Sequence, residues 1–220
     1  CVITGASSGI GKSLSLGLAS KGASVVLAAR RFSKLESIIN EIRRSGGEAL
    51  GIKTDITKNI ECKNLIDETI NQYAKIDLLL LGAGVSMWTP FKDIPDISFF
   101  KDLMDTNYTG SVQCVHAALP HLISSRGMIV TCSTAQAIVG FTNHSGYAAS
   151  KHALHGFLDT LNMELNGKVL FLEAFLGWIR GTNMRSNAFG SDGKKMGETK
   201  RKHSKNSVDV NECTNRIIQA

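Results

Sequence analysis

The sequence predicts a single α/β domain, a three-layer αβα sandwich around a doubly wound parallel sheet. Three observations predict it. Short β-branched or leucine-rich runs alternate with longer amphipathic stretches along the chain. The apolar runs are continuous rather than alternating, as strands covered on both faces are. Strand and helix repeated in turn imply parallel pairing through right-handed crossovers.

Six strands are predicted, in the order "CVIT", "SVVLAA" (24–29), "EALGIKT" (48–54), "DLLLLGAG" (77–84), "GMIVTCS" (127–133) and "KVLFLEAF" (168–175). Helical periodicity fills the intervals at 11–21, 34–44, 60–73, 97–123 and 147–165, with a last helix at 210–219. No repeat or low-complexity linker divides residues 1–220. Segment 180–208 breaks the rhythm, being rich in Gly, Asn, Ser and Lys, with few large apolar residues. It leaves the sheet at the carboxyl edge, where open α/β folds bind ligands, so it is expected to cover a substrate.

The bulk balance is globular, with 43% apolar and 20% charged residues. Much of the +6 excess lies at Lys194, Lys195, Lys200, Arg201, Lys202 and Lys205. No aromatic residues are interleaved for base stacking, so this run reads as a solvated loop and no nucleic-acid partner is expected. Five scattered cysteines without a CxxC pair suit the cytoplasm or another reducing compartment. No run approaches a membrane span, but the chain opens at Cys1 within an apolar run, so residues upstream are expected and a preceding anchor is left open.

The first strand runs into "TGASSGIGKS" (4–13). Gly5, Gly9 and Gly11 fall in a strand-to-helix turn, where backbone can approach a phosphate at a helix N-terminus. This makes the sheet Rossmann-like. The same residues miss the NTPase phosphate loop by one position, Ala6, and no magnesium-binding acid ends a later strand. After the second strand, Ala29 stands where an NAD-selecting acid would lie, and Arg30 and Arg31 follow. A guanidinium suits a 2′-phosphate, so the cofactor is expected to be NADP(H), with Arg30 as its contact and Arg31 open to a plain role in starting a solvated helix.

Tyr147 and Lys151 are spaced i, i+4, one helical turn apart. An ammonium beside a phenol is expected to lower its pKa and make it a usable acid/base. Together with a nearby hydroxyl, such a pair suits carbonyl–alcohol chemistry driven by a nicotinamide. His152 with His155, and His116 with His121, lack a third ligand at metal spacing, and no metal is expected.

In "TGASSGIG", "AAR", "TDIT" (54–57), "GAG", "NYTG" (107–110) and "YAASK" (147–151), the chain resembles the short-chain dehydrogenase/reductase family in its single-domain form. The resemblance implies Tyr147 as acid/base, Lys151 as the residue that tunes it and holds the nicotinamide ribose, and Asn107 in a proton relay through water. It further implies cofactor contacts from Gly5, Ser7, Ser8, Gly9, Ile10, Gly11, Arg30, Asp55 beside the adenine, Ile56, Ala83, Gly84, Gly177 and Ile179. The family's catalytic hydroxyl precedes the tyrosine by thirteen residues, which reaches Thr134, with Ser133 as fallback if the strand end shifts by one.

The implied activity is carbonyl reductase or alcohol dehydrogenase, with a small carbonyl or alcohol substrate. Segment 85–88 ("VSMW") would line the cleft, and Met87, Trp88 and Phe91 suggest an apolar or aromatic cleft and an apolar substrate, with plain packing as the alternative reading. A homodimer or homotetramer through 112–119 and 152–165 is implied. Gly82 replaces the family's asparagine, which predicts a looser tie between strands, and Leu176-Gly177 replaces its Pro-Gly, which predicts a looser turn. The family adds a seventh strand after the last helix, so either the sheet is shortened or the chain is incomplete. With Thr134, Gly82 and Leu176 as departures, the alternative is a nucleotide-binding regulator with weakened chemistry.

Overall fold

The computed structural model describes residues 1–198 and 204–220. Lys200, Arg201 and Lys202 of the basic run lie outside the described residues, as does part of segment 180–208. Strands β1 (Val2–Thr4), β2 (Val25–Ala29), β3 (Ala49–Lys53), β4 (Leu78–Leu81), β5 (Met128–Thr134) and β6 (Leu170–Leu176) form one sheet. Their order is β3-β2-β1-β4-β5-β6, and every pairing is parallel. The order reverses between β1 and β4, which opens a crevice at their carboxyl ends.

Alternate residues of each strand serve opposite faces. Val2, Val26 and Leu79 pack against α3 (Asn59–Tyr73), α5 (Gly110–Ser125) and α6 (Ser145–Leu165). Ile3, Leu27 and Leu80 pack against α1 (Gly9–Ser20) and α2 (Phe32–Arg44). On α2 the buried residues are Leu35, Ile38, Ile39 and Ile42, one stripe of helical period. On α6, Leu154, Leu158, Leu161 and Leu165 do the same.

The stretch expected as one helix over 97–123 is divided. A short α4 (Phe99–Met104) passes through a π-helical turn, Asp105–Thr109, into α5. The wider turn admits an extra residue, and Asn107 in it is fully buried. Gly110 then lets α5 start against Ile56, since a Cβ there would lie 2.8 Å from the Ile56 side chain.

The loosening expected from Gly82 does not occur, because Thr4 supplies the tie. Its Oγ1 donates to Leu80 O at 3.2 Å and accepts from the N–H groups of Gly82 (3.1 Å) and Ala83 (3.3 Å). A Cβ on Gly82 would lie 2.7 Å from Thr4 O, so the two strand ends approach too closely for a side chain.

Segment 180–208 has more structure than its composition suggested. The pair β7 (Ile179–Arg180) and β8 (Val208–Asp209) closes it at the base. Phe189 pins its middle: Phe189 N donates to Ser86 O at 2.8 Å, and Trp88 N donates to Phe189 O at 2.9 Å. The Phe189 ring packs beside Phe99, with 5.2 Å between centroids. Lys195 departs from the solvated reading, since its ammonium lies 3.6 Å from the Phe189 ring centroid. Beyond β8, α7 (Val210–Gln219) docks on α1, where Gly17 leaves room for Ile218. Among the described residues no seventh strand joins the sheet, and β6 is an edge with Leu170 and Phe175 exposed.

Candidate active site

The crevice at the switch point is a cavity of about 460 Å³. At its floor the glycine turn is packed until only backbone fits. Gly5 (φ +68°) lies with its Cβ position 2.7 Å from the backbone of Ala83, and a Cβ on Gly11 would lie 2.5 Å from Gly5 O. Gly9 also holds a left-handed φ of +55°. A turn without side chains, opening the N-terminal end of α1, leaves amide N–H groups and the positive helix end for a phosphate. The chain therefore fits a dinucleotide here. Lys12 and Ser13 do not line the cavity. Lys12 Nζ pairs with Glu41 at 3.6 Å, and Ser13 Oγ meets Asn211 and Thr214 of α7 at 3.0 and 2.7 Å. An NTPase arrangement is absent from the described residues.

Every cofactor contact expected from the sequence lines this one cavity: Gly5, Ser7, Ser8, Gly9, Ile10, Gly11, Arg30, Asp55, Ile56, Ala83, Gly84, Tyr147, Lys151, Gly177 and Ile179. Arg31 lines it too, and its Nη2 donates to Ser7 Oγ at 3.4 Å, so it does more than start α2. Asp55 is engaged locally, accepting from Thr57 N (3.1 Å) and Thr57 Oγ1 (2.9 Å). Lys195 reaches the same end, where burial first and Arg30 second draw its pKa down.

The chemical end joins β5 to α6. Thr134 is the last residue of β5, and its hydroxyl and the Tyr147 phenol line the same cavity, close enough for Thr134 to draw the phenol's pKa down. Its Oγ1 also accepts from Gln136 N at 3.3 Å. Ser133 lines the cavity beside it. Burial pushes the phenol up to about 12, against the downward pull of Thr134. The expected lowering by Lys151 is not found: the Lys151 Nζ is 6.0 Å from the ring centroid and donates to Cys132 O at 3.3 Å. Burial, the largest effect, also draws the Lys151 pKa down, while Cys132 and Glu173 raise it.

Asn107 stands behind the cavity rather than in its wall. Its Oδ1 accepts from Val85 N at 2.9 Å, and its Nδ2 donates to Val85 O at 2.8 Å and Ser150 Oγ at 2.9 Å. Both amide hydrogens are spent on protein, so this side chain clamps α6 to the loop after β4.

The remaining wall is aromatic. Trp88 lies 5.7 Å from Trp178 and 4.8 Å from His144, centroid to centroid. Arg185 sits 5.5 Å over Trp88. Of the cleft residues expected from sequence, Val85, Ser86 and Trp88 are present, while two are elsewhere. Met87 is fully buried against Phe99, Leu103 and Tyr147, its sulfur accepting from Gly146 N at 3.2 Å, and Phe91 is 61% exposed outside the cavity. His144, Trp178, Met184 and Lys195 were missed. His144 carried a signal, since it lies three residues, one turn, before Tyr147.

The fold and the glycine-floored cavity together define a dinucleotide-binding α/β scaffold. More particularly, the chain belongs to the short-chain dehydrogenase family, whose family model, described as short chain dehydrogenase, matches residues 1–192. It is 39% identical over 196 residues to 11-beta-hydroxysteroid dehydrogenase-like 2 of Arabidopsis thaliana, covering 87% of this chain and 63% of that protein. It is 36% identical to 11-beta-hydroxysteroid dehydrogenase 1A of the same organism, covering 88% and 56%. The chain thus spans little more than half the length of these curated relatives. An alcohol dehydrogenase from the archaeon Thermococcus sibiricus, complexed with 5-hydroxy-NADP, superposes with a TM-score of 0.83 at 22% identity, covering 98% of this chain and 87% of its own. A short chain dehydrogenase/reductase from Burkholderia phymatum in complex with NAD gives 0.86 at 20% identity, covering 100% and 84%. These two likenesses establish the fold.

Proposed function

We propose that the protein is an NADP(H)-dependent oxidoreductase that interconverts a carbonyl and an alcohol. The observation that carries this reading is that Tyr147, Lys151, Thr134 and Ser133 line the wall of the cavity that the glycine turn floors. When bound, the nicotinamide supplies or takes the hydride at the substrate carbon. In reduction, the Tyr147 Oη gives its proton to the carbonyl oxygen as the C–H bond forms; in oxidation it takes the proton back. A phenol pushed up to about 12 holds its proton at neutral pH, which suits the reducing direction. The Thr134 hydroxyl holds the same oxygen in line, with Ser133 the fallback for that role. Lys151, fixed by Cys132 O, keeps two ammonium hydrogens for the nicotinamide ribose.

Arg30 and Lys195 at the adenosine end, with no acid after β2, support NADP(H) over NAD. The aromatic wall supports an apolar substrate, and the names of the curated relatives point the same way, to a fused-ring alcohol or ketone. Segment 180–208 serves as the substrate cover, and the outer faces of α5 and α6 as the homodimer or homotetramer contact. Free cysteines suit a reducing compartment.

The test follows NADPH and NADH consumption against aldehydes, ketones, steroids and lipid carbonyls. NADPH oxidation with an apolar ketone is the expected result. Faster use of NADH overturns the cofactor assignment, and NADPH binding without turnover on any carbonyl favours the regulator.

A further inference from the structure

His144 is 5% exposed, lies in the cavity wall, and has its ring centroid 6.3 Å from that of Tyr147. Its Nδ1 lies 2.8 Å from Thr142 O. A carbonyl only accepts, so the proton sits on Nδ1, and in the neutral ring Nε2 presents a lone pair. Burial draws the His144 pKa below its ordinary value, which keeps the ring neutral at physiological pH. Among the described residues Nε2 has no hydrogen-bond partner, and it is not sealed from the cavity. Trp88, edge-on at 4.8 Å, and Trp178 at 6.5 Å hold the ring in place and surround that lone pair with apolar surface.

An acceptor fixed in an apolar wall is costly to leave unpaired. Tyr147 and Thr134 engage the reacting oxygen, so His144 addresses a different group on the same molecule. We infer that His144 Nε2 is a specificity-determining acceptor for a second hydroxyl of the substrate, so that the preferred substrates are hydroxylated cyclic ketones, or the corresponding diols, rather than plain hydrocarbon ketones. This rests on the reductase reading above.

Wild type, His144→Phe and His144→Gln are compared on α-tetralone and its ring-hydroxylated derivatives with NADPH. In parallel, binding of the same ketones in the presence of NADP⁺ is read from quenching of tryptophan fluorescence. Both tryptophans of the chain, Trp88 and Trp178, line the cleft. One hydrogen bond predicts that wild type favours a hydroxytetralone over the parent by about tenfold in both readouts. The ratio falls to about one in His144→Phe and is partly restored in His144→Gln, whose amide oxygen still accepts. Equal treatment of all tetralones by wild type, or an unchanged ratio in His144→Phe, overturns the inference. Binding preference without turnover of any tetralone would sink the reductase reading and leave the recognition by His144 standing; turnover without preference would do the reverse.

Discussion

Asn107 and Ser150, 43 residues apart, are joined by a 2.9 Å hydrogen bond from Nδ2 to Oγ, and Ser150 Oγ in turn donates to the Tyr147 carbonyl at 2.7 Å. The π turn that carries Asn107 is thereby fastened to the turn of α6 that carries the phenol. Asn107→Ala leaves Val85 N–H, Val85 C=O and Ser150 without this partner in a dry interior. A loss of about 3 kcal/mol is expected, which lowers Tm by roughly 6–12 °C. Ser150→Ala should cost less, about 1 kcal/mol. Thermal unfolding of both variants decides; equal small shifts would remove the clamp.

The two hydroxyls at the end of β5 separate by kinetics. Tyr147→Phe should lower kcat by roughly a hundredfold or more, as expected when a positioned proton donor is removed. Thr134→Ala should lower kcat by about tenfold to a hundredfold with NADPH affinity retained, and Thr134→Ser should recover most of it. Near-normal turnover in Thr134→Ala together with a large loss in Ser133→Ala would transfer the role to Ser133.

Alkaline stability reports the burial of Tyr147. Its folded pKa of about 12 exceeds the ordinary value of 10.0. A group raised on folding contributes stability that is fully present below its unfolded pKa and lost as pH rises towards the folded one. Wild type should therefore lose stability relative to Tyr147→Phe between pH 10 and about 12, with no such divergence below pH 9. Denaturant midpoints for the two proteins at several alkaline pH values measure this; parallel curves would place the phenol's pKa near its ordinary value.

Cofactor selection is read at Arg30 and Lys195. Removing a charge-assisted bond to a 2′-phosphate should weaken NADPH binding by about tenfold to a hundredfold. NADH binding should change far less in Arg30→Ala and Lys195→Ala. Equal losses for both nucleotides would mean that these cations support the cavity wall instead of reading the phosphate.

The glycine turn gives a steric test. Gly11→Ala places a methyl 2.5 Å from Gly5 O, against backbone that has no room to move. NADPH affinity should fall beyond measurement by calorimetry, while Gly140→Ala, where nothing lies within 4 Å, should leave it unchanged.

The sequence by itself determined the sheet, the order of its strands and helices, and the wall of the nucleotide cavity. Those features follow from local patterns, continuous apolar runs, helical stripes and glycines at a strand-to-helix turn, and each works through neighbours a few residues away. The tertiary structure decided what depends on partners far along the chain. Asn107 became a clamp because Val85 and Ser150 close around it, and Met87 left the cleft because Phe99 and Phe189 bury it. Thr4 took over the tie expected to be lost at Gly82, and Lys195 was drawn out of its basic run onto Phe189. The acidity of Tyr147 lies in the same class. Its spacing to Lys151 is local, but the burial that raises its pKa is imposed by β5, α6 and the pinned segment around Phe189.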